Sequence, residues 1–399
     1  MSRKHSEHLG QARVATTAMF FVNGMVLAVW ATNIPGMKAA LALSDQQLGM
    51  ALSAFAAGTM LTLFLAGSLV TRLGSRNTLL LGGALLAAVL PLSALATSSL
   101  AYSIAVFLLG VANSVFDVAM NTHGAIIEAR RAKPLMSSFH AVFSIGGLAG
   151  ASAVATLLAD RLGPLHCLAF ASASIALTSL LASCWLGRLE PLSAGGGADG
   201  RVFAMPNLAL LCIAGLTFLA LFIERTVIDW SSLYLTDVSR ASASTAAFAF
   251  GAFSLAMAAG RLSGDRLVRR LGQSTLLCGS GALGAAGLAL GMLAPQPAAA
   301  IAGFVLVGLG LANMIPTLYS RASRAFPGAP GLGLAMNGTL GYVGFLIAPP
   351  VIGFASGQLG LRLAMALPLI AFFVLMICTL RRNAGTERQE TRKFVPVQL

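Results

Sequence analysis

Three side chains at four-residue spacing, Asn113, Asp117 and Asn121, stand in a stretch otherwise built from Val, Ala, Leu, Phe and Met. On a helix that spacing puts all three on one face. Glu128, eleven residues beyond Asp117, returns to nearly the same face. A carboxylate near the centre of a bilayer costs about 2.5–3.5 kcal/mol on insertion scales, so it turns to a water-filled cavity or to a partner. Two roles are open to Asp117. A buried carboxyl group favours its neutral form, which suits substrate binding or proton exchange. The alternative is an acid held permanently by Asn113, Asn121 or a neighbouring helix.

A second cluster, Glu224, Arg225 and Asp229, lies in another apolar stretch. Arg225 and Asp229 are four residues apart and can pair internally, or either can meet a substrate; Glu224 is left without that partner. Trp230 and Tyr234 near the same end, and Trp30 earlier in the chain, read as interfacial aromatics, with stacking on a ligand the alternative for Trp30. His123 and His140 have no evident third ligand, so no metal site is expected. His140 is a candidate relay or gate hydrogen bond through its near-neutral titration, against a satisfied packing role for either histidine. Asn23 and Asn313 complete the polar candidates inside apolar stretches.

The elements that hold these residues follow from composition. Of 399 residues 57% are hydrophobic and only 10% charged, against roughly 25% charged in a soluble domain, so the chain is read as an integral membrane protein. Twelve apolar segments of near-spanning length can be drawn: 14–34, 46–70, 78–97, 100–127, 135–158 and 164–186, then 207–235, 242–263, 274–294, 297–319, 332–356 and 360–380. Five cysteines, with no C-x-x-C spacing, read as free thiols. No phosphate-binding Gly-rich loop appears, so ATP-driven transport is not expected.

Charge gives the expected orientation. With the N-terminus cytoplasmic, 21 Lys and Arg fall in inner segments and 4 in outer ones, with Arg225 inside a span. Both termini are therefore expected in the cytoplasm, and the net charge of +13 follows without a nucleic-acid partner. The hydrophilic stretch 188–206 contains SAGGGADG, a flexible linker composition. It divides the chain into an N-terminal six-helix half (1–187) and a C-terminal half (207–399) with a basic tail. A shift of 200 residues sets Gly110-Val-Ala-Asn113 on Gly310-Leu-Ala-Asn313 and Asp117 on Thr317, and LVTRLG at 69–74 matches LVRRLG at 267–272. These matches point to a duplicated six-helix unit.

Six plus six spans with basic loops after the second and eighth resemble the major facilitator superfamily. The family's loop signature is echoed by Gly67-Ser-Leu-Val-Thr-Arg-Leu-Gly-Ser-Arg76, with Thr71 in place of the usual aspartate, and by Gly264-Asp265-Arg266 in the second half. The resemblance makes Arg72 and Asp265 candidate gating residues. DVAMN at 117–121, Phe139-His140 followed by Ser144-Ile-Gly146-Gly147, and DWSSLYL from Asp229 are similar to the MosC-like branch. The superfamily fold implies that spans 1, 4, 7 and 10 line a cavity while 3, 6, 9 and 12 face lipid.

The expectation is an all-α membrane protein of two pseudo-symmetric six-helix bundles. It would be a secondary active transporter in the cytoplasmic membrane, moving a small polar solute by alternating access, with proton coupling resting on Asp117 and Glu224. A carboxylate-rich cavity would accept a cation more readily than an anion. An exporter of amphiphilic or toxic compounds, and a non-transporting sensor on a transporter scaffold, are the alternatives. No enzyme activity and no cofactor are expected, and the expected oligomeric state is a monomer.

Overall fold

The computed structural model describes residues 3–131, 135–187, 207–294, 296–325 and 330–393. The expected linker, 188–206, lies outside the described residues. Among the described residues, eleven helices are long and apolar enough to cross a membrane by length and composition.

The first bundle comprises α1 (Arg3–Thr32), the short α2 (Ile34–Ala40), α3 (Asp45–Val89), the one-turn α4 (Leu92–Leu95), α5 (Ser99–Arg131), α6 (Met136–Ala159) and α7 (Pro164–Ser183). The second comprises α8 (Leu208–Leu233), which runs into a π-helical turn (Tyr234–Val238), then α9 (Ala243–Leu271), α10 (Gln273–Leu293), α11 (Pro297–Leu311), α12 (Met314–Ala325), α13 (Pro330–Leu359), the one-turn α14 (Leu361–Ala364) and α15 (Ala366–Lys393). The second and third expected spans are the single run α3, bent where Gly74 leaves helical geometry at φ 79° and ψ 156°. The expected tenth span is broken at Ala312 and Asn313 into α11 and α12.

Glycine sets the packing within each bundle, since helices in lipid associate by close backbone approach rather than by a hydrophobic drive. A Cβ on Gly146 would sit 1.9 Å from the Phe21 carbonyl oxygen, so α6 presses directly on α1. The same contact recurs in the second bundle, where a Cβ on Gly344 would sit 2.2 Å from the Phe218 carbonyl oxygen. Gly110 lies against the carbonyl of Phe55, and Gly308 against that of Phe253. Gly272 repeats the bend of Gly74 at φ 75° and ψ 160°.

These equivalences fix the internal repeat at 198 residues (344 less 146, 308 less 110, 272 less 74). The 200-residue shift read from Gly110 and Gly310 is out of register by two positions. Gly310 packs on the Ser280 carbonyl, a different face from that of Gly110. On the structural register Asn113 matches Leu311, and Asp117 matches Ile315. The acid is still unduplicated, but Asn313 is not its neighbour's twin.

One equivalent position differs in chemistry. Phe20 of α1 stacks on Phe139 of α6 with centroids 5.1 Å apart. In the second bundle Thr217 stands 197 residues after Phe20 and Asn337 stands 198 after Phe139, and there the Thr217 hydroxyl donates to Asn337 Oδ1 at 3.1 Å. Large apolar side chains project outward from α7, α10 and α15, among them Phe170, Leu180, Leu290, Phe373 and Ile377. These helices are the sixth, ninth and twelfth spans, three of the four that the resemblance turns toward lipid.

The bundles meet at the end where α1 finishes. Lys38 pairs with Asp45 at 2.6 Å in its own bundle and with Asp237 at 3.0 Å in the other. Ser356 donates to Asp45, and Ser244 donates to the Ala155 carbonyl at 2.7 Å. Between them α3 crosses α13 with Gly49 and Gly353 in backbone contact. Pro349 and Pro350 stand inside α13 at this crossing.

Candidate functional site

Between the bundles lies a cavity of about 240 Å³ lined by α1, α3, α5, α6, α8, α9 and α13. Seven aromatic side chains wall it: Trp30, Phe55, Phe143, Phe250, Phe253, Tyr342 and Phe345. The polar wall is Asn113, Ser144 and Ser254 with the charged Glu224, Arg225 and Arg261. No residue of α11 or α12 reaches it, so the expected tenth span contributes nothing to this wall, while α3, α6, α9 and α13 contribute in its place.

Arg225 is the most constrained charge. Its side chain is 3% accessible, and Nε lies 2.7 Å from Asp229 Oδ2, one helical turn on along α8. The guanidinium carbon lies 4.9 Å from the centre of the Phe55 ring and 4.7 Å from that of Phe345. One ring comes from each bundle, and each adds a cation–π contact that a desolvated guanidinium favours. Among the described residues neither Nε nor Nη2 has a hydrogen-bond partner. Asp229 is fully buried and off the wall, so its carboxylate holds Arg225 rather than meeting the cavity. The internal pair expected from the spacing is therefore present.

Glu224 has a partner that the spacing within α8 does not reveal. Arg261 of α9 approaches it with Nη2 3.5 Å from Oε1. Arg261, near the inner end of the expected span 242–263, lines the cavity. The carboxylate-rich cavity expected from the sequence is thus replaced by a wall bearing two guanidinium groups and one carboxylate. The missed signal is Arg261 itself, a basic residue one helical turn inside the Gly264-Asp265-Arg266 motif.

The Asn113 stripe divides. Asn113 lines the cavity, and among the described residues its Oδ1 has no hydrogen-bond partner. Asp117 and Asn121 follow on the next two turns; both are half-buried, and neither lines this cavity. Asn121 Nδ2 donates to the Asp117 backbone carbonyl at 2.9 Å. Glu128 leaves the stripe: its Oε2 accepts from the backbone N–H of Met136 at 2.8 Å and from that of Leu135. It caps the start of α6, because a helix N-terminus carries unpaired donors and positive partial charge.

The remaining candidates disperse. Asn23 is fully buried, off the cavity wall, with both amide atoms unpartnered among the described residues. Asn313, at the break before α12, donates to the Gly260 carbonyl at 2.9 Å and bridges helices. His123 is the satisfied packing histidine: Nδ1 lies 2.8 Å from the Ser75 hydroxyl and Nε2 2.8 Å from the Leu186 carbonyl. His140 stands edge-on to Phe20 at 5.3 Å, and among the described residues its ring makes no hydrogen bond. Arg72 is exposed and, among the described residues, makes no ion pair. The side chain of Asp265 lies outside the described residues.

Trp30 and Trp230 are not interfacial. Trp30 is 1% accessible and stacks on Phe55 at 5.4 Å, and Trp230 is fully buried. Tyr234 donates to the Gly291 carbonyl at 2.8 Å. Among the described residues no three His, Cys, Asp or Glu side chains gather as a metal would require.

Two repeated helical bundles enclosing a cavity walled by both are the architecture of a membrane transport protein. The chain belongs to the Major Facilitator Superfamily, whose family model matches residues 16–329 and 216–397. Within it the chain falls in the MosC-like branch. It is 33% identical to the membrane protein MosC of Rhizobium meliloti, over 91% of this chain and 88% of that one. An uncharacterized MFS-type transporter of Yersinia pestis is 35% identical, over 93% and 95% of the two chains. Among solved structures, a nucleoside transporter NupG variant superposes with a TM-score of 0.77 at 13% identity, covering 93% of this chain and 99% of that one. A bacterial homolog of the human lysosomal transporter Spinster, inward-facing and unoccupied, gives 0.78 at 12%, covering 95% and 97%. At those identities the likeness is one of fold.

Proposed function

We propose that the chain is a secondary active transporter of the cytoplasmic membrane, with both termini in the cytoplasm, that moves one small solute bearing a polar group by alternating access. The observation that carries this is the cavity between the bundles, walled by both and holding charged groups in an aromatic frame. Contacts between the bundles at the end where α1 finishes, through Lys38, Asp237, Asp45 and Ser356, supply a closure that rocking of two halves would break and remake. Proton coupling rests on Asp117, half-buried on the α5 face that leads to Asn113 and the cavity. Glu224, tied to Arg261, is the second candidate.

The test is solute flux. Purified protein in liposomes is assayed for uptake of metabolites that raise its thermal stability, with and without an imposed pH gradient. Gradient-driven accumulation supports the reading; a ligand that binds but never crosses identifies a sensor. The aromatic wall favours one second reading, export of an amphiphilic compound, and the direction of flux at equal pH separates the two.

A further inference from the structure

We propose that the cavity recognises a small organic anion, a carboxylate carried on an apolar or aromatic body, with Arg225 and Arg261 as the groups that read the carboxylate. This rests on the transport reading only in using the same cavity.

The charges on the wall point this way. Two guanidinium groups stand there against the single carboxylate of Glu224. Each guanidinium already has one carboxylate beside it, Asp229 for Arg225 and Glu224 for Arg261, so the pairs are close to neutral and it is their remaining N–H donors that mark the wall. An ammonium group entering the cavity would meet donors, whereas a carboxylate would accept from them. A guanidinium has five N–H donors, and Asp229 approaches Nε as an ion pair at 2.7 Å without a hydrogen bond. Among the described residues neither Nε nor Nη2 has a hydrogen-bond partner, on a side chain only 3% accessible. A buried unpaired donor costs about 1–3 kcal/mol, so Arg225 is an incomplete group that awaits an acceptor. A carboxylate binds the two-pronged edge of arginine with two parallel hydrogen bonds.

The rest of the wall describes the body of the solute. The Phe55 and Phe345 rings lie against Arg225, and Trp30 and Tyr342 stand on the same wall. A flat apolar group attached to the carboxylate would lie on those rings. At 240 Å³ the space suits a single-ring solute rather than a long chain. Arg261 reaches Glu224 at 3.5 Å, long enough for its other donors to turn to a ligand.

The experiment measures binding without flux. Intrinsic tryptophan fluorescence and thermal stability of the purified full chain are followed against benzoate, phenylacetate and indole-3-acetate. Each is paired with its amide and its amine analogue. The expected result is binding by at least one acid that its amide and amine lack by about tenfold or more. Arg225→Gln alone would strand buried Asp229, so the double variant Arg225→Gln/Asp229→Asn tests the site with the pair neutralised. It and Arg261→Gln, whose position is part-exposed, should each weaken acid binding about ten- to a hundredfold. Binding of amines in preference to acids overturns the proposal, as does no binding by any acid, or acid binding unchanged in both variants. Parallel flux assays keep the two readings apart. An acid that binds through Arg225 but does not cross leaves this site standing and removes transport. Flux of some other solute, indifferent to the double variant, does the reverse.

Discussion

Lys38 Nζ lies 3.0 Å from Asp237 Oδ2, joining residues 199 positions apart across the two bundles. The Lys38 side chain is 19% accessible and that of Asp237 46%, so the pair is partly solvated and worth only about 0.2–1 kcal/mol. A weak link is what a closure that must reopen needs. Asp237→Asn should therefore shift the open and closed populations by up to about fivefold, read as faster amide hydrogen exchange in α2 and the turn after α8. Unchanged exchange there would show that the α3–α13 crossing holds this end by itself.

Asp117→Asn should abolish the dependence of accumulation on a proton gradient while solute exchange between equal pools continues. One coupled proton at 100 mV is worth about 2.3 kcal/mol, or roughly a fiftyfold concentration ratio, so the loss is large enough to read in liposome uptake. A variant that still accumulates solute against its gradient with full pH dependence removes Asp117 from the coupling step.

His123→Ala should lower stability by about 1–3 kcal/mol and leave ligand binding intact. The imidazole ties Ser75, at the Gly74 bend, to the Leu186 carbonyl at the end of the first bundle, and it is fully buried. Thermal unfolding in detergent measures the loss. A change in ligand affinity without a change in unfolding temperature would contradict a purely structural role.

Gly74→Ala and Gly272→Ala should each cost about 1–3 kcal/mol, because φ near 79° and 75° with ψ near 156° and 160° is a region essentially reserved for glycine. No atom lies within 4 Å of a Cβ at either position, so the cost is one of backbone conformation rather than crowding. Paired unfolding measurements should find the two losses similar. A loss at only one would break the equivalence of the bends.

The fold was legible because its signals are strong and local: apolar segments of spanning length, a repeated Leu-Gly loop, and an internal ion pair at four-residue spacing. The site was legible only in part. Asn113 and Glu224 were found because polar groups in apolar helices stand out. Arg261 was missed because a charge at the end of an expected apolar span reads as facing the membrane surface, and only the continuation of α9 to Leu271 and its approach to α8 bring Arg261 to the cavity. The same limit hid the roles of Phe55 and Phe345, since an aromatic in an apolar run carries no mark of what it touches. Glu128 went the other way: helical phase put it on the stripe, but the start of the next helix offered free N–H groups. The two-residue error in the repeat came from a four-letter match, which backbone contacts overrule.

The stack of Phe20 on Phe139 and its counterpart, the hydrogen bond from Thr217 to Asn337, hold the same two helices in each bundle by contacts of different geometric tolerance. Stacked rings stay in contact over a range of offsets, whereas a hydrogen bond weakens steeply once its angle departs from a narrow range. Sliding along the α1–α6 seam should therefore be easier than along the α8–α13 seam. Duplication left two copies of one shape, and later substitution gave them separate freedom to shear.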